Sequence, residues 1–202
     1  MLRVYEALRA QILDGSLPPG SPVSIQAVSS EMRSSNGPVI SALTRLSHEG
    51  LVQHRRGAGY HVARWTPEML DGLLTVRRAL ETEAARLAAR RAGPEDIQQL
   101  GTHVARMAEL VRAQRRAEAD AVDVEFHIAV AQLSRCPALI EALKRSHLLE
   151  IVRRRLLINE PRGDFANLAV NHQILVDAIA SGAPDQAGQA MHLHLSGSIS
   201  LH

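Results

Sequence analysis

Tyr5, Leu8 and Ile12 lie about one helical turn apart in a segment that alternates charged or polar with apolar residues. That spacing predicts an amphipathic helix ending at Asp14-Gly15. "SLPPGSPVS" follows and reads as a turn by composition. Ser24 can cap a short second helix over "IQAVSSEM". In "RSSNGPVISALTRLSHEGLV", Ser35 is the expected N-cap, and Pro38 falls in the first turn. Val39, Leu43 and Leu46 form the apolar stripe of this third helix, and Gly50 suits its end. "LVQHRRGAGYHVA" reads as two short strands around a glycine turn, with Arg55 and Arg56 at the tip. Three short helices and a hairpin are the plan of a winged helix-turn-helix. A small helical domain with an incidental basic hairpin fits the same periodicity. In the winged plan the helix starting near Ser35 enters a major groove, and the arginine tip reaches phosphates or the adjacent minor groove.

A second region opens at Thr66, a plausible cap with Pro67 at the first helical position. Loop signals at Gly93-Pro94, Cys136-Pro137, Pro161-Arg162-Gly163 and Ser181-Gly182-Ala183-Pro184 divide the remainder into helices near 67–92, 95–117, 119–135, 138–159, 164–181 and 185–199. The expected fold is therefore mainly α. A winged helix-turn-helix should occupy residues 1–65, followed by an all-helical bundle over residues 66–202. "RRRLL" at 153–157 reads as a solvated face with apolar neighbours.

Composition narrows the classes. The 202 residues are 46% hydrophobic and 22% charged, which suits a folded chain with a real core. No apolar run approaches the ~20 residues a membrane helix needs. Cys136 is the single cysteine, which excludes internal disulfides and cysteine-cluster metal sites and points to a reducing cytoplasm. Aromatic residues make up 2%, too few for stacking single-stranded bases. Residues 1–65 carry seven arginines against four acids, a net of +3 within a total of +2, so the basic excess sits in the N-terminal part. That balance suits duplex DNA.

The candidate chemistry lies in the bundle. In "VDVEFHIAV", Asp123 and His127 share one helix face with Val130 and Ala131, so a carboxylate and an imidazole should look inward together. His172 and His194 also sit in line with apolar positions on later helices. If the four converge, imidazole and carboxylate suit a divalent ion such as Zn, Ni, Mn or Fe, and a bundle interior is a familiar host. The alternative is a polar core network, with each histidine satisfied by a backbone carbonyl and Asp123 paired to an arginine.

Two resemblances add to this reading. Ile12, Gly15, Leu17, Pro19-Gly20, Pro38-Val39, Ala42-Leu43, Leu46, Glu49-Gly50-Leu51-Val52, Gly59 and Val62 are similar to the N-terminal domain of the GntR family of bacterial repressors. The resemblance implies that Ser35, Asn36, Gly37, Ile40, Ser41, Thr44, Arg45, Arg55 and Arg56 face a double-stranded DNA operator. Two positions depart from it, since Asn36 and Ile40 stand where the family usually has arginine. Arginine can grip guanine bidentately, asparagine prefers adenine, and isoleucine meets only a thymine methyl, so the operator should differ from the usual one.

Downstream, Arg77, Leu80-Glu81, Asp123, Phe126-His127, His172, Ile174-Leu175, Ala178-Ile179, Ala190-Met191 and His194-Leu195 resemble the FCD ligand-binding domain of the FadR subfamily. In its metal-binding branch the matching Asp and three His hold a divalent cation. A small carboxylate effector completes the coordination, helped by an arginine of the first bundle helix. Carried over, the ligands are Asp123, His127, His172 and His194, and Arg77 is the effector clamp. Asn171 departs from the pattern, where a Glu often precedes the third ligand histidine.

The combined expectation is a homodimeric repressor, not an enzyme, whose affinity for a palindromic operator answers to a carboxylate effector at a Zn, Ni or Mn class ion. Two other readings use the same four residues. One is a metal-dependent hydrolase or lyase, against which Glu125 should point away from the Asp123/His127 face. The other is a sensor in which the cation is itself the signal. His192 should be at the surface, two positions from His194 and off its face, and neither His103 nor His147 has an evident partner.

Overall fold

The computed structural model describes residues 2–64, 66–144 and 165–196. It is mostly helical with one small sheet, as the periodicity predicts. The described chain divides into two compact units, the first ending at Leu73 and the second starting at Leu74.

In the first unit, α1 (Leu2–Asp14) buries Val4, Tyr5, Leu8, Ile12 and Leu13 along one stripe. It ends where Gly15 takes φ +84°, a left-handed conformation cheap only for glycine. Next come β1 (Pro22–Val23), α2 (Ile25–Glu31) and α3 (Asn36–His48). Ser24 caps α2 as expected, its hydroxyl accepting from the Ala27 N–H at 3.3 Å. Ser35 occupies the N-cap position of α3 but makes no capping hydrogen bond through its side chain. Val39, Ala42, Leu43 and Leu46 bury the inner face of α3, so the opposite face looks outward.

The hairpin of β2 (Val52–Arg55) and β3 (Gly59–Val62) pairs Val52 with Val62 and Arg55 with Gly59. The sheet has a third strand that the sequence reading missed. Within the expected turn, β1 pairs Pro22 with His61 and Val23 with Tyr60, giving the order β1-β3-β2. Main-chain bonds make the pairing: Gly20 N–H donates to Val62 O, and Val62 N–H donates to Ser21 O, each at 2.9 Å. Two residues are too few to show alternation, and backbone bonds leave no trace in side-chain type.

The second unit contains α4 (Pro67–Arg91, continuing from the first unit), α5 (Pro94–Arg112), α6 (Arg116–Leu133), α7 (137–144), α8 (Leu168–Ala180) and α9 (Pro184–Leu195). The Thr66 hydroxyl accepts from Met69 N–H at 3.3 Å, as a cap before Pro67 should. α5 packs on α6 and α8, and α8 packs on α9. The core between them holds Leu100, Met107, Phe126, Val130, Leu175, Ile179 and Met191.

One break falls earlier than expected. α5 stops at Arg112 rather than near residue 117, because Gln114 takes φ +57°. No glycine or proline marks that turn, so composition gave no warning. α9 likewise closes at Leu195, short of the expected 199. Most of the helix expected over 138–159, and with it "RRRLL", lies outside the described residues.

Candidate metal centre and nucleic-acid interface

α6 carries the first two donors. Its apolar stripe of Ala119, Val122, Phe126 and Val130 enters the bundle core, and this turns the adjoining Asp123 and His127 inward. Both are buried, as is His172 on α8, while His194 on α9 is partly buried. One ligand atom from each of the four lies within 4.8 Å of all the others. His172 Nε2 stands 3.0 Å from Asp123 Oδ1, and His127 Nε2 stands 3.7 Å from the same oxygen. His194 Nε2 is 3.3 Å from His127 Nε2. Donors sharing one ion through bonds of about 2.1 Å sit roughly 3–4 Å apart, so these spacings are of the right size. The Phe126 ring meets His172 edge-on at 4.8 Å and His127 at 5.7 Å, which gives both imidazoles a rigid apolar wall.

The far nitrogens decide what the near ones offer. His172 Nδ1 is 2.8 Å from Leu168 O. A carbonyl only accepts, so Nδ1 carries a proton, and Nε2 is the nitrogen turned toward Asp123. The two atoms meet at 3.0 Å in a buried place, a contact that a proton or a cation makes favourable. His127 is placed in a similar way, its Nδ1 in ion-pair contact with Glu81 Oε2 and its Nε2 turned inward. Burial, then the neighbouring imidazoles of His127 and His172, push the pKa of His194 down to about 2. Protonation there is disfavoured. Three imidazoles and a carboxylate therefore converge on a small volume, where one cation can meet a ligand atom from each. The donor set fits a divalent cation of the Zn, Ni or Mn class.

Glu81 was not singled out from the sequence as a site residue. It is 1% exposed, and its Oε1 accepts from Arg77 Nε at 2.5 Å. Arg77, one turn earlier on α4, is 5% exposed. An Arg and a Glu four apart usually form a surface pair. The signal that could have found this one is the alanine stripe continuing from it, since Ala84, Ala85 and Ala88 are buried on the same helix. Glu125 and His192 are exposed, as expected. His103 meets the edge of Phe126 at 6.5 Å, and His147 lies outside the described residues.

The candidate DNA-facing residues belong to the first unit. Ser35, Asn36, Gly37, Ile40, Ser41, Thr44 and Arg45 are all exposed on the outer side of α3 and its cap, with Ile40 42% exposed. Asn36 is held from α2, its Oδ1 accepting from the Ser29 hydroxyl at 2.8 Å. Arg45 folds back onto α1. Its guanidinium lies 3.9 Å over the Tyr5 ring, and its Nε is 3.2 Å from Glu49, which also accepts from Tyr5 Oη at 2.8 Å. Arg55 and Arg56 are exposed where the hairpin turns, between β2 and two glycines, Gly57 and Gly59, at φ +78°.

Known proteins show the same organisation. Residues 72–197 match the FCD domain, and residues 1–62 match the bacterial regulatory proteins of the gntR family. The chain is an FCD-domain member of the GntR family. Among the relatives of this GntR-family chain is the HTH-type transcriptional regulator LutR of Bacillus subtilis, 27% identical over 92% of this chain and 93% of its own length. Another is the galactonate operon transcriptional repressor of Escherichia coli, 26% identical over 93% of this chain and 90% of its own. The solved structure of E. coli McbR/YncC shares the fold, with a TM-score of 0.75 and 21% identity, covering 98% of this chain and 94% of that one. No helix among the described residues is long and apolar enough to cross a membrane.

Proposed function

We propose that the chain is a homodimeric transcriptional repressor whose operator affinity is controlled by a small carboxylate effector at a divalent metal in the helical bundle. Residues 1–65 form the DNA-binding domain, and residues 66–202 form the effector-binding and dimerisation domain. The observation that carries the effector part is the convergence of Asp123, His127, His172 and His194, with the far nitrogens of two histidines already fixed by acceptors. A bound divalent cation supplies a positive centre onto which a carboxylate can coordinate. The chain's own residues do the rest. Glu81 and Leu168 O hold two imidazoles in the donating tautomer, Phe126 keeps water from one side, and Arg77 offers a guanidinium that can fork onto the effector.

On the other unit, the outer face of α3 reads the groove, and Arg55 and Arg56 engage phosphates. Effector binding and operator binding are coupled, by ~1–3 kcal/mol in typical cases, and release of DNA is the expected direction. An enzyme on this site would need a general base, and Glu125 is exposed rather than turned toward the four donors.

The test is elemental analysis of untagged protein beside the His127→Ala/His172→Ala variant. Near-stoichiometric divalent metal in the wild type, lost in the variant, is the expected result. Wild type that takes up no metal even on reconstitution overturns the metal site and leaves the DNA-binding reading standing. With metal present, hydroxy acids of the galactonate kind are the first effectors to screen by thermal shift. Arg77→Ala should abolish that response and spare the response to metal. Loss of both, or of neither, would remove Arg77 as the clamp.

A further inference from the structure

The geometry points to Glu81 as a positioning residue that joins the effector clamp to the metal ligands, so that an event at Arg77 is felt at His127. Its functional meaning rests on the metal-and-carboxylate reading above. Among the contacts of this buried carboxylate, Oε1 accepts from Arg77 Nε at 2.5 Å, and Oε2 lies in ion-pair contact with His127 Nδ1. All three residues are at most 5% exposed, so water screens little of what passes between them.

A carboxylate shared in this way divides its negative charge between its two donors. The more strongly the guanidinium draws it, the less it polarises the imidazole. An anion gripped by Arg77 takes up part of the guanidinium's charge, and Glu81 then pulls harder on the His127 Nδ1–H. That pull makes the opposite nitrogen, Nε2, a stronger donor toward the metal position. Anion at Arg77 and cation at His127 therefore favour one another through Glu81, in addition to any direct attraction. The effect is equal in both directions. Glu81 touches neither ligand. It sets the tautomer of one group and the charge of another.

The experiment uses the full chain stripped by chelator, with Zn²⁺ alone as probe, in wild type, Glu81→Gln, Arg77→Ala and the double variant. Zn²⁺ affinity is read by competition with a chromophoric chelator, and the His127 tautomer by side-chain ¹⁵N resonances before metal is added. In the wild type His127 should carry its proton on Nδ1. Glu81→Gln should mix the tautomers and weaken Zn²⁺ binding roughly 10–100-fold. Arg77→Ala should tighten Zn²⁺ binding roughly five-fold or more when Glu81 is present and leave it unchanged beside Glu81→Gln.

An equal effect of Arg77→Ala in both backgrounds would mean direct Coulomb repulsion alone, and the Glu81 link falls while the metal site stands. Wild-type affinity and tautomer in Glu81→Gln overturn it in the same way. A wild type that takes up no Zn²⁺ overturns the metal reading and the link together. Should Glu81→Gln fail to fold, Glu81→Asp keeps the charge and shortens the reach. It must lose the tautomer preference, and wild-type behaviour there refutes positioning.

Discussion

The outer face of α3 and the donor cluster of the bundle solve opposite problems. Around the cluster, His172 and His127 each have the non-facing nitrogen fixed by an acceptor, and a phenyl ring stands edge-on to both. On α3 the proposed DNA-facing residues project into solvent. Among the described residues, Asn36 and Arg45 are restrained there, by Ser29 and by Tyr5 with Glu49. A cation is small and isotropic, so its site must be built beforehand. A DNA groove brings its own rigid pattern of acceptors and methyls, so the protein needs only a firm helix beneath adaptable side chains.

Substitutions should separate the two regions, and the largest effect belongs to the bundle. Phe126→Ala removes a fully buried ring and should cost about 3–5 kcal/mol in a urea melt of stripped protein. It should also weaken metal binding. A loss under about 1 kcal/mol would mean that the wall behind the histidines is not packed as described. Next comes the metal: at a free concentration a hundred times its Kd, Zn²⁺ should stabilise the stripped wild type by about 2.7 kcal/mol. The same addition to His127→Ala/His172→Ala should move the melting temperature little.

The reading face should behave in the reverse sense. Ile40→Ala and Asn36→Ala should each change stability by no more than about 0.5 kcal/mol. Each should nevertheless lower discrimination at one base pair by ~1–3 kcal/mol, measured on duplexes selected by the wild type from a random pool. For Ile40 the sharper check replaces thymine by deoxyuridine. Loss of the methyl should cost the wild type as much as Ile40→Ala does, and leave Ile40→Ala indifferent. Because Ser29 already engages Asn36 Oδ1, the amide N–H is the side left for a base, which favours an acceptor such as guanine O6 over bidentate adenine. The smallest and least selective effect is that of Arg55→Ala. It should weaken all duplexes alike and reduce the salt slope by about 1. A base-selective loss would remove its phosphate role.

What the sequence made legible follows the same division. Helix ends marked by Gly93-Pro94 or Gly182-Pro184 could be read because those residues act through their own backbones. The end of α5 could not, since Gln114 adopts its left-handed turn without any local preference that announces it. The strand at Pro22–Val23 is held by main-chain bonds to β3 and leaves no alternation to read. At the site, Asp123 and His127 were conspicuous as polar residues on an apolar face. Glu81 matched the FCD pattern beside Leu80, but nothing local in the sequence gave it a role. Its partner on α6 is distant in sequence, and only folding supplies it.

The two anchors of the histidines have different evolutionary standing. His172 leans on the carbonyl of Leu168, one turn back on its own helix. Every amino acid carries that carbonyl, so position 168 can drift through any residue that keeps the helix, and the anchor persists. His127 leans on a side chain, and a single codon change at position 81 removes it. Of the two anchors, only the one at Glu81 can be removed by a single substitution.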